Sequence, residues 1–154
     1  MSYGHYWGRP RTISDTAFSS IVADVRAVIA RVAPTFGLFG GIKVRGATGR
    51  GRPLLDADHI CFNGNPGRET FWIAKDFHAK YPERTPGDDG FYWDFVKTSE
   101  LPYDAVVVAA LTALKVHVPE ARLSSDGGEE EWAPGIALYR DATGRDVPFE
   151  SLTA

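Results

Sequence analysis

The sequence predicts a single α/β domain over residues 1–154, in which a mixed β-sheet carries helices on its faces. Three observations lead to this prediction. The chain of 154 residues is long enough for one hydrophobic core and leaves little room for a second. Strand patterns and helical patterns follow one another after residue 58. The stretch 105–114 is apolar nearly all round, which indicates a helix buried beside the sheet.

The N-terminal part predicts one amphipathic helix, which follows a short segment whose structure the sequence does not decide. Residues 1–11 are aromatic and basic without a clear period, so a tail and an edge strand are both compatible with them. Residues 15–33 place apolar side chains at helical spacing. Ser14 or Thr12 can cap the start of this helix, and Pro34 helps to end it.

The core strands are predicted from β-forming residues between turn and loop signals. The first three strands are expected at 59–63, 70–75 and 91–98. Their connections are too short for crossover helices, so antiparallel pairing is expected. A helix from Pro102 to about Val116 then leads to a fourth strand, which together with the third forms a βαβ unit.

The C-terminal part predicts one more strand and one more helix. The fourth strand is expected at 121–125 and ends at the turn 126–128. The last helix starts at about Glu130, and Gly144 can terminate it. Residues 145–154 are expected to be a loose C-terminus.

Charge is distributed unevenly along the chain. Residues 1–53 carry eight lysines and arginines and two acids, whereas residues 54–154 carry nine bases and eighteen acids, within a net charge of −3. The basic excess lies in the segment 12–53, which combines the N-terminal helix with a loop rich in glycine and arginine around a short strand at 42–44. Such a split makes a nucleic-acid partner compatible with an acidic total.

Two sequence features bear on the cellular location. The single cysteine, Cys61, excludes an internal disulfide and fits a reducing compartment. The longest apolar run, 105–111, is far shorter than a membrane span, and the first residues lack the apolar core of a signal peptide. We therefore expect a cytoplasmic protein without a membrane partner, whose oligomeric state the sequence leaves open.

Basic residues in the glycine-rich loop are candidates for phosphate contact. Guanidinium forks and exposed backbone amides can bind phosphate, although a solvated flexible loop explains the same composition. The loop lacks the spacing and the terminal Lys-Ser/Thr of a P-loop. Tyr3, Tyr6 and Trp7 can stack on bases or anchor the N-terminal segment to the core. The expected nucleic-acid-binding residues are Lys43, Arg45, Arg50, Arg52 and Lys97.

Polar residues at the ends of core elements form the candidate catalytic site. Asn63 ends the first strand, Asp104 lies in the first turn of the buried helix and Asp126 ends the fourth strand. Such positions tend to converge on a crevice. Carboxylates there suit Mg²⁺ or Mn²⁺, so Asp104 and Asp126 are the predicted metal ligands. Taken singly, each residue is also explained as a helix-start acid or a turn residue.

This pattern resembles the ribonuclease H-like superfamily over residues 58–142. That fold has three antiparallel strands, a helix, a fourth strand and another helix. The run Tyr103-Asp104-Ala105-Val106-Val107 looks like its acid-bearing helix, and Leu123-Ser124-Ser125-Asp126 looks like its fourth strand and third acid. Phe62-Asn63-Gly64 is similar to the first strand, but Asn63 stands where the family has an aspartate. Glu69, across the turn from Asn63, is the candidate to supply the negative charge that an aspartate at position 63 would carry. The resemblance therefore implies a catalytic set of Asp104, Asp126, Asn63 and Glu69.

The leading functional hypothesis is a nucleic-acid-binding protein with metal-dependent phosphodiester hydrolysis. Asn63 favours the alternative, a non-catalytic module of the same fold that binds a protein partner or a small anionic ligand, in a phage–host setting. A pocket enzyme that uses Lys97 and Tyr103 ranks last. The pattern also resembles small uncharacterised proteins of bacteria and their phages, from which no activity carries over.

Overall fold

The computed structural model describes residues 3–37 and 39–153 and contains two antiparallel sheets and five helices. The strands are β1 (Gly4–Arg9), β2 (Val44–Arg45), β3 (Leu54–Leu55), β4 (His59–Gly64), β5 (Phe71–Ala74), β6 (Tyr92–Lys97) and β7 (Arg122–Ser125). The helices are α1 (Asp15–Val32), α2 (Phe77–Lys80), α3 (Asp104–His117), α4 (Glu129–Thr143) and α5 (Phe149–Leu152). The predicted α/β class is confirmed.

The first sheet has the strand order β6-β1-β7, and β1 runs antiparallel to both neighbours. In this register Tyr6 lies opposite Phe95 on one side and Ser124 on the other. The strands β6 and β7 therefore run parallel to each other with β1 between them. Helix α3 is the crossover between these two strands, so the predicted βαβ unit is present but split by the N-terminal strand.

The prediction of a tail or an edge strand for residues 1–11 is wrong, because β1 is the central strand of the first sheet. Its buried side chains are His5, Trp7 and Arg9, and two of these are polar, so the alternation of strand residues is hidden in the sequence. Because β1 occupies the place beside β6, the third predicted strand pairs with β1 and not with β5. Two antiparallel sheets replace the predicted mixed sheet.

The second sheet is built around β4, which pairs antiparallel with β2, β3 and β5. The antiparallel pairing of the first two predicted core strands is confirmed. Arg9 connects the two sheets, because its buried guanidinium donates to the carbonyl oxygens of Ala74 and of Lys75, the latter at 2.7 Å. Trp7 packs on Phe71 across the same junction, with ring centroids 5.4 Å apart.

Helix boundaries follow the predicted capping signals. Ser14 caps α1 by accepting from Ala17 N at 3.1 Å, and Gly144 ends α4 with a φ of 80°. Helix α3 is buried along most of its length, as its apolar sequence predicts, and packs against α1 and α4. The expected loose C-terminus is wrong, because α5 forms there and buries Leu152 in the core. No described helix is both long and apolar enough to cross a membrane.

Candidate functional site

Asp104, the first residue of α3, belongs to a buried chain of hydrogen bonds. Its Oδ1 lies 2.7 Å from His5 Nε2 and accepts from Thr98 Oγ1 at 2.5 Å. On the other side of the imidazole, His5 Nδ1 lies 2.8 Å from Ser125 Oγ. His5 is fully buried, and Asp104 is 8% exposed. The chain thus joins the start of α3 to the first sheet.

The contacts of Ser125 determine which group is the donor in each bond of this hydrogen-bond chain. Its oxygen accepts the Gly127 N–H at 2.9 Å and the Trp132 Nε1–H at 3.0 Å. Both lone pairs of the hydroxyl are then occupied, so the Ser125 hydroxyl donates to His5 Nδ1. His5 must carry its proton on Nε2 and donate to Asp104, an assignment that follows from the network.

The serine, histidine and aspartate of this chain do not form an accessible nucleophilic site. Attack by Ser125 on a substrate would break one of the three hydrogen bonds of its oxygen. His5, the only base that contacts the Ser125 hydroxyl among the described residues, has no exposed surface. The two residues lie 120 positions apart, which is why spacing gave no signal for them. This chain of hydrogen bonds holds β1, β7 and α3 in place.

The other predicted acidic-site residues are each engaged locally. Asp126 is exposed, and its Oδ2 accepts the Gly4 N–H at 2.9 Å. Asp126 thus bonds to the first residue of β1, and Asp104 bonds to the second, His5; their predicted convergence on a shared site stays a prediction. Asn63 Oδ1 accepts from Gly64 N at 2.7 Å within its own loop. Glu69 Oε1 accepts the Lys97 N–H at 2.8 Å.

These contacts do not fit the predicted Mg²⁺ or Mn²⁺ site. Within residues 3–37 and 39–153, no three or more His, Cys, Asp or Glu side chains are grouped to hold a metal ion. Oδ1 of Asp104 already receives two donors, and Oδ1 of Asn63 receives one. A magnesium ion needs several free oxygen ligands at short distance. The donor set therefore lacks what the two-ion chemistry of the ribonuclease H-like resemblance requires.

The solvent-facing side of the first sheet carries aromatic and basic side chains. Tyr6 and Phe95 lie opposite each other, with ring centroids 6.2 Å apart and an interplanar angle of 36°. Phe95 is 46% exposed. Lys97 Nζ lies 6.0 Å from both ring centroids, and none of the described carboxylates forms an ion pair with it. We call this surface the aromatic face; its members are Tyr6, Trp93, Phe95, Lys97 and Arg122.

Trp93 and Arg122 extend the aromatic face on either side of Gly8. Both residues lie opposite Gly8 in the register of the sheet. A Cβ atom on Gly8 would lie 2.6 Å from the Trp93 ring, so glycine is needed there for the indole to lie across β1. The exposed Arg122 guanidinium lies 4.6 Å from the Phe91 ring centroid. Its ion pair with Asp89 is long, at 3.6 Å.

A second cationic surface lies where two loops meet beside the second sheet. The pairing of Val44 with Gly64 places the loop 46–51 next to the loop 63–68. Between them is a cavity of about 290 Å³, which we call the loop cavity. Its lining includes Arg50 and Arg68 and contains no acidic residue. Both arginines are exposed, and neither forms an ion pair with any described residue.

Two of the five predicted nucleic-acid-binding residues lie on these surfaces, and three do not. Arg50 lines the loop cavity, and Lys97 lies on the aromatic face. Arg45 donates to its neighbour Val44 O at 3.2 Å, whereas Lys43 and Arg52 are exposed outside the cavity lining. The sequence interpretation missed four residues, although alternation along β6 places two of them on the side of Lys97. These four are Arg68, Trp93, Phe95 and Arg122.

Comparison with known proteins gives no relative for this chain. No protein-family model, no curated protein and no solved structure matches it significantly. The ribonuclease H-like resemblance finds no support there and stays a prediction. The function of the protein has to follow from its own surfaces.

Proposed function

We propose that this protein binds single-stranded nucleic acid on the aromatic face. The observation that carries the proposal is Phe95, a large ring 46% exposed on a sheet face, beside Tyr6 and an ammonium group that forms no ion pair with the described residues. Bases of single strands stack on such aromatic side chains, and nearby cations attract the phosphates. The bases of a duplex are already stacked and paired, so a single strand is the better match.

Charge favours a polyanion over a protein partner on this surface. A protein could also cover Phe95, but Lys97 has no carboxylate partner within the described chain and a phosphate would supply its counter-charge. A further cation, Arg68, comes close to this end of the sheet. Its neighbour Glu69 accepts the backbone N–H of Lys97. The proposal keeps the predicted nucleic-acid partner and moves its main contact from the loop 43–52 to the first sheet.

Hydrolysis is not part of this proposal. Among the described residues, no three or more His, Cys, Asp or Glu side chains are grouped to hold a metal ion, so nothing in the geometry supports the predicted metal-dependent cleavage. The proposed role is therefore that of a binding module, close to the alternative that Asn63 favours. Its ligand is a nucleic-acid strand instead of a protein or a small anion.

Fluorescence anisotropy with a labelled single-stranded oligonucleotide tests the proposal. Phe95→Ala is expected to weaken binding about fivefold or more, since one lost stacking contact costs ~1–3 kcal/mol. Phe36→Ala is the matched control, because Phe36 is 79% exposed and lies outside the three strands of this surface. Equal affinities of wild type, Phe95→Ala and Phe36→Ala, or no binding to any single strand, would refute the proposal.

A further inference from the structure

We propose that the loop cavity binds a terminal phosphate group of the nucleic-acid strand that lies on the aromatic face. This inference rests on the proposed function for the identity of the strand. The cavity itself is argued from the two loops alone. Its chemistry is that of a phosphomonoester site, with two cations in a concave, polar surface.

The two arginines of the loop cavity have their backbones held while their side chains stay exposed. Arg50 O accepts from Gly46 N at 3.0 Å and so closes the turn of the first loop. Arg68 O accepts from Asn63 Nδ2 at 2.9 Å, and Arg68 N donates to the Tyr103 hydroxyl at 3.3 Å. A guanidinium on a fixed backbone loses less freedom when it binds an anion. The backbone of the site is therefore set before any ligand arrives, and only the two side chains have to order on binding.

Close packing within the loop 63–68 and against Tyr103 explains two of the glycines that line the cavity, and backbone conformation explains a third. A Cβ atom on Gly67 would lie 2.2 Å from Asn63 Oδ1, and one on Gly64 would lie 2.6 Å from Tyr103 Cβ. Gly49 has a φ of 78°, which favours glycine in the turn before Arg50. Neither loop can take side chains at these points without moving, so the polar wall between Arg50 and Arg68 stays open.

Asn63 acquires a different role from the one that the predicted metal site gave it. Its amide bonds Gly64 N on one side and Arg68 O on the other, so it positions the loop that carries Arg68. An aspartate would lack the donor for Arg68 O. Asparagine at this position is therefore consistent with an anion site, whereas an aspartate would add negative charge beside the cavity.

The charge of the cavity matches a terminal phosphate better than an internal one. A phosphomonoester carries nearly two negative charges near neutral pH, and two arginine forks can each bind two of its oxygens. Internal phosphodiesters carry one charge and follow an open surface. Glu69 does not line the cavity, and within the described residues it forms no ion pair with Arg50 or Arg68; its carboxylate accepts the backbone N–H of Lys97. That same bond connects the cavity with the end of β6, on which the aromatic face lies.

Two measurements test this site. In isothermal titration calorimetry, inorganic phosphate is expected to bind wild type, and Arg50→Gln and Arg68→Gln are each expected to weaken it about tenfold or more. Arg52→Gln is the control, since Arg52 is exposed in the same segment but does not line the cavity. Thermal unfolding confirms that each variant is folded.

Anisotropy with one oligonucleotide in three forms tests the occupant: phosphorylated at the 5′ end, at the 3′ end, or at neither. One phosphorylated form is expected to bind about tenfold more tightly than the unmodified one. Arg68→Gln is expected to abolish this advantage, whereas Phe95→Ala lowers all three affinities and keeps it.

Each other outcome overturns the inference. If wild type does not bind phosphate, or if Arg52→Gln and Arg68→Gln lose the same phosphate affinity, the proposed phosphate site is refuted. Phosphate binding without any advantage for a phosphorylated strand shows that the cavity serves small phosphorylated molecules instead. Failure of the proposed function looks different, because the unmodified oligonucleotide would then not bind at all.

Discussion

His5 shows how a single polar residue can determine the position of several elements. It lies fully buried on the central strand β1 and connects Asp104 at the start of α3 with Ser125 at the end of β7. A buried carboxylate that loses one of its partners is costly, because neither water nor another group replaces the bond. The imidazole therefore has a structural importance that its position near the N-terminus does not suggest.

Replacement of His5 by alanine tests this role. His5→Ala is expected to lower the free energy of unfolding by about 2–4 kcal/mol, from the lost bonds to Asp104 and Ser125 and from the space left beside Trp132. His78→Ala is the control and is expected to cost less than about 1 kcal/mol, because His78 is half-buried on a short helix. Urea denaturation of both variants gives the values, and similar losses for both would contradict the account.

Tyr103 joins the start of α3 to the loop before β5 and makes their packing sensitive to alkaline pH. Its hydroxyl donates to Glu69 O at 2.7 Å and accepts from Arg68 N, just before α3 begins. Burial is the main cause that raises the pKa of Tyr103 from 10.0 to about 12. The unfolded chain thus loses this proton near pH 10 and the folded chain near pH 12. The stabilisation is complete below pH 10 and is lost as the pH rises through 12.

The expected result is a fall in stability above about pH 10 that is shallower in Tyr103→Phe than in wild type. The variant is also less stable at neutral pH, because Glu69 O and Arg68 N lose a partner. Urea midpoints measured at a series of pH values separate the two effects, since the slope with pH reports the ionisation alone. Parallel pH curves for the two proteins would show that Tyr103 does not ionise in this way.

Local signals predicted the helices, whereas strand partners depended on distant residues. Ser14 and Gly144 act as caps within a few positions of the helices that they bound, so α1 and α4 were located closely. The place of β1 depends on contacts with β6 and β7, about 90 and 120 residues along the chain. Its inward His5 and Arg9 look like surface residues in the sequence, because their buried partners lie on other elements.

The candidate site was predictable only in part, because some of its contacts also depend on residues far apart in the sequence. The convergence of Asp104 and Asp126 was predicted from the ends of α3 and β7, and the two side chains bond to the first two residues of β1. Their partners were not predictable, because His5 and Gly4 come from a strand whose position was unknown. Lys97 was recognised as a cation, but the exposed ring of Phe95 beside it required the sheet register.

Across the described residues, a few acidic side chains are buried and paired with basic groups, whereas several basic side chains form no ion pair. Asp24 accepts from Arg145 at 2.9 Å, and Asp94 accepts from Lys80 at 2.7 Å; both acids are buried. Arg50, Arg68 and Lys97 form no ion pair with the described residues. A chain of net charge −3 can therefore present a cationic surface, at the places where basic side chains form no ion pair with the described residues.

Stacking on the aromatic face is the central claim, and two substitutions at Phe95 test it most directly. Phe95→Tyr keeps an aromatic face, whereas Phe95→Leu keeps apolar surface and removes the ring. By anisotropy with an unmodified single-stranded oligonucleotide, Phe95→Tyr is expected to bind within about twofold of wild type and Phe95→Leu about fivefold or more weakly. Binding by Phe95→Leu as tight as by Phe95→Tyr would contradict stacking as the basis of recognition.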